Sequence, residues 1–234
     1  MNFVIVQILS AAITGQFLNV SAESTGQISV PLQLILDAGH GGEDGGAVSC
    51  TGVPESQINL AIVQKLDQLF GFYGEAPILL RNEDISLHNT DAKTLRQKKI
   101  SDLHNRVAVI ETTENAAVIS IHQNTFPKSG YHGTQVFFRS GDEESEALAS
   151  VLQEALRHAA PDNERVPAKI PDTVYLMKHI SCPAVLIECG FLSNPTEEAL
   201  LRSPVYQSCL SGCILSGWLK YTQNQGGEHA YHVI

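Results

Sequence analysis

Residues 32–36, Leu32-Gln33-Leu34-Ile35-Leu36, run directly into Asp37-Ala38-Gly39-His40-Gly41-Gly42. A compact apolar run that stops at a glycine-rich turn reads as a buried strand emptying into a loop. Working outward, residues 55–70 carry Ile58, Leu60, Ile62, Val63, Leu66 and Leu69 near helical spacing, which predicts a helix. The same alternation continues along the chain. Strands are expected at 76–80, 116–121, 134–138 and 184–187, and helices at 95–111, 144–158 and 205–221. Interleaved strands and helices, with no repeat and no long linker, predict a single α/β domain over 30–222 with a mostly parallel sheet. Residues 223–234 lack clear periodicity and are expected to form a loose tail.

Composition agrees with a packed core. The chain has 234 residues, 43% hydrophobic and 17% charged, with 18 Gly and 10 Pro, which excludes a disordered, collagen-like or coiled-coil chain. A net charge of −10 and a pI near 5.3 provide no overall basic field, so nucleic acid is not an expected partner. The five cysteines, Cys50, Cys182, Cys189, Cys209 and Cys213, form no C-x-x-C pair and are too scattered for a disulfide scaffold. Cys209 and Cys213, four apart in a helical pattern, are expected to face the core.

Residues 1–25 stand apart. Residues 3–14 are mostly apolar, Val20-Ser21-Ala22 resembles a small-residue cleavage site, and the first basic residue of the chain is Lys65. A secretory signal peptide fits the length and predicts an extracytoplasmic protein; a weak membrane anchor and a buried first element are the alternatives.

The chemistry gathers at strand ends. Three predicted strands end near His40, at His122 and at Glu188, and ligands collect beyond the carboxyl ends of strands in open parallel sheets. Glu55 joins them if the loop after His40 folds back and delivers the start of the first helix to the same edge. Two His and one Glu form a ligand set for a catalytic zinc with a fourth position open to water. The remaining Glu is then free as a general base, the division of labour in metal-assisted amide hydrolysis.

Four ordered blocks sharpen this reading. They are residues 36–47 around His40, residues 52–60 around Glu55, Ser120-Ile121-His122-Gln123-Asn124, and residues 187–197 beginning Ile187-Glu188-Cys189-Gly190-Phe191. Together they resemble the zinc-dependent N-acetylmuramoyl-L-alanine amidase family, and most of all its CwlD-type germination and cortex amidases. The resemblance implies His40, Glu55 and His122 as zinc ligands and Glu188 as the catalytic base. It implies a twisted, mostly parallel sheet flanked by helices, with the site at the C-terminal ends of strands. The substrate implied is peptidoglycan or muropeptides, cut between the lactyl group of muramic acid and L-alanine. Residues 159–183 hold no long amphipathic segment of the kind that plugs some longer members, so if activity is restrained, dependence on a partner such as an activator protein, or low metal affinity, is the expected means. A zinc peptidase using the same four residues, or a non-catalytic wall-binding relative, are the competing readings.

Among the neighbours, Asp37 is expected to orient a ligand His or to satisfy turn amides. The glycines of residues 39–46 are expected to permit positive φ or close backbone approach. Arg96, Lys98, Lys99 and Arg106 are expected on a solvated helix face, with contact to the anionic wall polymer as the alternative. Cys189, beside the proposed base, is expected to bind metal or oxidise unless its side chain points to the opposite face.

Overall fold

The computed structural model describes residues 31–160 and 162–225. The expectations for residues 1–25, and for the tail beyond Gln225 with its His229 and His232, fall outside those residues.

A six-stranded sheet has the order β2-β1-β3-β6-β4-β5. Its strands are β1 (Gln33–Ala38), β2 (Ile78–Leu79), β3 (Ala116–Asn124), β4 (Gln135–Phe138), β5 (Ala168–Lys169) and β6 (Ala184–Phe191). β1, β2, β3 and β6 run parallel, β4 runs antiparallel to β6, and β5 follows β4. β2 is shorter than expected because Pro77, just before it, has no N–H for the ladder.

The alternation of strand side chains sorts the core into two layers. Leu34, Leu36, Ile119, Ile121, Val185 and Ile187 face α1 (Glu55–Phe72), α3 (Glu143–Leu156) and α6 (Pro204–Gln225). Ile35, Val118 and Leu186 face α2 (Leu95–Glu111) and the short α4 (Tyr175–His179). Burial on both faces explains why the central strands read as near-continuous apolar runs. Trp218 of α6 meets Phe70 of α1 edge-on at 6.5 Å between ring centroids, fastening the last helix to the first. α6 continues to Gln225, past the residue 222 boundary expected from the pattern.

Several local signals explain element starts. Thr94 and Gln97 form a reciprocal capping box at α2. Asp142 caps α3, and Asn194 caps α5 (Pro195–Leu201), whose first residue is proline. α5, α4 and β5 are too short for their periodicity to stand out in the sequence.

Of the cysteine expectations, the one for Cys209 changes. Cys209 is exposed and Cys213 half-buried, because the inward stripe of α6 is Leu210, Ile214, Trp218 and Tyr221, which leaves Cys209 turned outward. Cys189 lies in the core on the face opposite Glu188, and burial raises its thiol pKa, so it is neither a ligand nor an exposed thiolate.

Candidate metal centre

The glycine-rich loop does fold back. Residue pairs Gly41–Asp44 and Val48–Pro54 form isolated bridges, and the first amides of α1 find loop carbonyls: Glu55 N donates to Ala47 O and Ser56 N to Gly45 O. α1 has no side-chain cap, so these carbonyls satisfy helix amides that would otherwise lack partners. The consequence is positional: Glu55, the first helical residue, is delivered to the sheet edge beside His40.

His122 and Glu188 lie inside their strands rather than at the ends the sequence suggested. β3 runs on to Asn124 and β6 to Phe191, and His122 and Glu188 are register partners. They share the face that carries Val118 and Leu186. Beyond them the register shifts, so that Asn124 pairs with Phe191. One extra residue in β6 returns Phe191 to the face of Glu188.

His40, Glu55 and His122 each offer one ligand atom, and these atoms lie within 4.8 Å of one another. His122 Nδ1 is 2.9 Å from Glu55 Oε1, and His40 Nε2 is 3.4 Å from Glu55 Oε2. The other ring nitrogen of His40, Nδ1, is 3.0 Å from Asp44 Oδ2, which turns Nε2 toward the group. His40 itself has φ 62°, a left-handed conformation that a residue with Cβ adopts at a cost. Gly39 makes room for the second histidine: a Cβ there would stand 2.2 Å from His122 Nε2. At Gly46, with φ 70°, a Cβ would meet Glu55 Oε2 and His40 Cδ2, each at 2.6 Å.

The two carboxylates occupy different surroundings. Glu55 accepts hydrogen bonds from Ala47 N, Gln123 N and Asn59 Nδ2 as well as from His122. Burial pushes its pKa up, but the His122 bond and the charges and amides around it outweigh that and hold it at about 2. Glu188 is half-buried, its Oε2 is shielded with no hydrogen-bond partner among the described residues, and burial raises its pKa to about 7. His122 is raised: desolvation opposes its charge, and the Glu55 hydrogen bond and charge more than offset it. Two imidazoles and one carboxylate converging with an adjacent unpaired carboxylate fit a three-ligand metal centre with a base beside it.

Two arginines carry the frame beneath. Arg81 donates to Ala38 O, Gly39 O and Ser56 O, tying the end of β1 to the start of α1. Arg106 is buried rather than on a solvated helix face. It pairs with Asp37 and with Asp102, and donates to Ala38 O and His40 O. The reason is the i,i+4 spacing of Asp102 and Arg106 on the sheet-facing side of α2. Asp37 therefore serves neither role expected of it: it accepts from Arg106 and Ser120 below the site, while Asp44 orients His40. Lys98 and Lys99 pair with Glu43 and Asp44 of the glycine loop.

Asn59, Asp44 and Arg81 were not singled out by sequence reasoning. Asn59 was the most accessible of them, because its i+4 spacing from Glu55 places both on one helix face. Nothing in the loop sequence distinguishes Asp44 from Glu43. Of the other described histidines, His88 bonds Ser86 and His179 bonds the carbonyl of Tyr175, away from the group.

Comparison with known proteins supplies the family. Residues 34–219 match the family model described as N-acetylmuramoyl-L-alanine amidase. The germination-specific N-acetylmuramoyl-L-alanine amidase of Bacillus subtilis is 35% identical over 201 residues, covering 85% of this chain and 84% of that protein. The CwlD amidase of Clostridioides difficile, solved in complex with the GerS lipoprotein, is 40% identical with a TM-score of 0.78, over 81% of this chain and 98% of that one. An N-acetylmuramoyl-L-alanine amidase of Clostridium difficile 630 superposes with a TM-score of 0.73 at 25% identity, over 84% and 99% of the two chains. The chain belongs to the N-acetylmuramoyl-L-alanine amidase family.

Proposed function

We propose that this chain hydrolyses the amide between the lactyl group of N-acetylmuramic acid and L-alanine in peptidoglycan. In this reading zinc is held by His40, Glu55 and His122, and Glu188 is the general base. Bound there, zinc would supply Lewis acidity, lowering the pKa of a water to about 7 and polarising a carbonyl. The remaining work falls to the chain itself. Glu188, with its pKa raised to about 7 and an unpaired oxygen, accepts the proton of the attacking water and returns it to the departing alanine nitrogen. Asp44 and Asn59 hold His40 and Glu55 in their ligating orientations, and Arg81 and Arg106 hold the backbone that carries them.

The observation that carries the reading is the pairing of one heavily bonded carboxylate with one unbonded carboxylate across His122. Peptidoglycan as substrate places the protein's action outside the cytoplasm, which agrees with residues 1–25 acting as an export signal or weak anchor. No helix of the described residues is long and apolar enough to cross a membrane. A partner that activates the enzyme is part of the proposal, supported by the CwlD relative having been solved with a lipoprotein. α4, the one helix between α3 and β6 among the described residues, packs beside α2, with Tyr175 5.4 Å from the His104 ring.

Zinc-loaded protein incubated with purified peptidoglycan is expected to release new N-terminal L-alanine, read by mass spectrometry. Cleavage at a different amide would overturn the substrate assignment. Turnover undiminished after zinc is stripped would overturn the metal mechanism.

A further inference from the structure

Glu188 has a second neighbour across the sheet. On one side stands His122 of β3; on the other, Gln135 of β4 is its antiparallel register partner and so shares its face. Gln135 holds an arginine from outside the strand: Arg165 Nη1 donates to Gln135 Oε1 at 2.8 Å, and Gln135 Nε2 donates to Val166 O at 3.2 Å. Arg165 Nε donates to His132 O at 2.9 Å, and its guanidinium carbon lies 4.9 Å from the centroid of the Phe191 ring. Phe191 is the residue that the β6 bulge returns to the face of Glu188.

This guanidinium differs from the others around the site. Arg106 is matched by Asp37 and Asp102, and Arg81 is spent on four backbone carbonyls. Arg165 is half-buried and fixed only by neutral partners, and none of the ion pairs among the described residues includes it. Its Nη2 donates to none of the described residues. The acid on the same side, Glu197, already accepts from Gly133 N and Phe191 N. A preorganised guanidinium with spare donors, lying on an aromatic face, is suited to a carboxylate.

We propose that Arg165, steadied by Gln135 and Phe191, is a carboxylate-binding subsite that receives the free α-carboxylate of the second stem-peptide residue, a γ-linked glutamate. The proposal rests on the amidase reading and adds a specificity determinant to it. Distances suit it: Gln135 is about 5 Å from Glu188 across the ladder. The second stem residue lies roughly 7 Å from the scissile nitrogen along an extended peptide. Substrate thus runs from the metal group past Glu188, with its leaving peptide directed toward Arg165.

The test is a matched pair of ligands that differ in one charge. L-Alanyl-D-glutamate blocked at its γ-carboxyl as the methylamide, and the α-amide of the same compound, are titrated calorimetrically into the zinc-loaded full chain and into Arg165→Met. The wild type is expected to bind the acid about tenfold more tightly than the amide, and Arg165→Met to bind both alike. Arg165→Lys, which keeps the charge and loses the fork, is expected to keep part of the preference. Equal affinities in the wild type, no binding of either peptide, or a preference that survives Arg165→Met would each overturn the subsite. The wild-type comparison stands whether or not the variants fold. The corresponding muramoyl-dipeptides separate this proposal from the amidase reading. Turnover of both at equal kcat/KM refutes the subsite and keeps the amidase. A preserved acid preference in binding, with cleavage of neither, refutes the amidase and keeps the subsite.

Discussion

The two halves of the candidate metal centre are built by opposite means. His40 and Glu55 come from a glycine loop and a helix start, locally irregular, and are fixed by the hydrogen bond of His40 to Asp44 and by donors from Asn59, Arg81, Arg106 and loop amides. His122 and Glu188 come from neighbouring central strands, where the ladder does the positioning and few side-chain bonds are needed. The difference sorts the two carboxylates. Glu55, saturated with donors and held ionised at about 2, is suited to be a fixed ligand. Glu188, shielded and lacking donors, with its pKa raised to about 7, is suited to exchange protons.

The two halves are expected to differ most at Glu188. Glu188→Gln is expected to lower kcat by about 10³-fold, equivalent to ~4 kcal/mol, in single-turnover assays on muropeptides. The loop half should fail differently. Arg106→Met leaves Asp37 and Asp102 without their cation in a buried setting, and is expected to cost about 3 kcal/mol of stability in urea melts. A smaller effect is expected at Asn59→Ala, which removes one donor from Glu55: metal affinity should fall 10- to 100-fold in chelator competition while the fold persists.

The smallest effect is a pH dependence of the metal-free chain. Glu188 has a folded pKa of about 7 against 4.5 for the ordinary group, so the folded state binds the extra proton between those values. Its penalty is absent below about pH 4.5, grows as pH rises, and is complete above about 7. Metal-free Glu188→Gln should therefore be more stable than the wild type at pH 8, by on the order of 1–2 kcal/mol, and no more stable at pH 4. Thermal melts at the two pH values read the difference directly.

The strand-borne half was the more legible in the sequence. Apolar runs ending in His122 and Glu188 announce buried strands with polar residues at one edge, and the parallel sheet places them together. The glycine loop was legible as a turn, but its fold-back depends on backbone carbonyls capping α1, which no side-chain pattern encodes. The frame below it was read wrongly. Arg106 looks like any basic residue on an amphipathic helix until the tertiary position of Asp37 is known, since a buried ion pair between residues 69 apart leaves no local trace. Cys209 was misplaced for a related reason, as the inward stripe of α6 is set by what α1 and α3 offer it, while Cys213 does pack against the core.

Metal content is the most direct measure of the central claim, that Glu55 binds and Glu188 reacts. Glu55→Gln and Glu188→Gln, each dialysed against zinc and assayed by elemental analysis, differ from the wild type by a single carboxylate. The account predicts one zinc per chain in Glu188→Gln with turnover lost, and little or no zinc in Glu55→Gln. Loss of zinc in Glu188→Gln, or full zinc in Glu55→Gln, would contradict it.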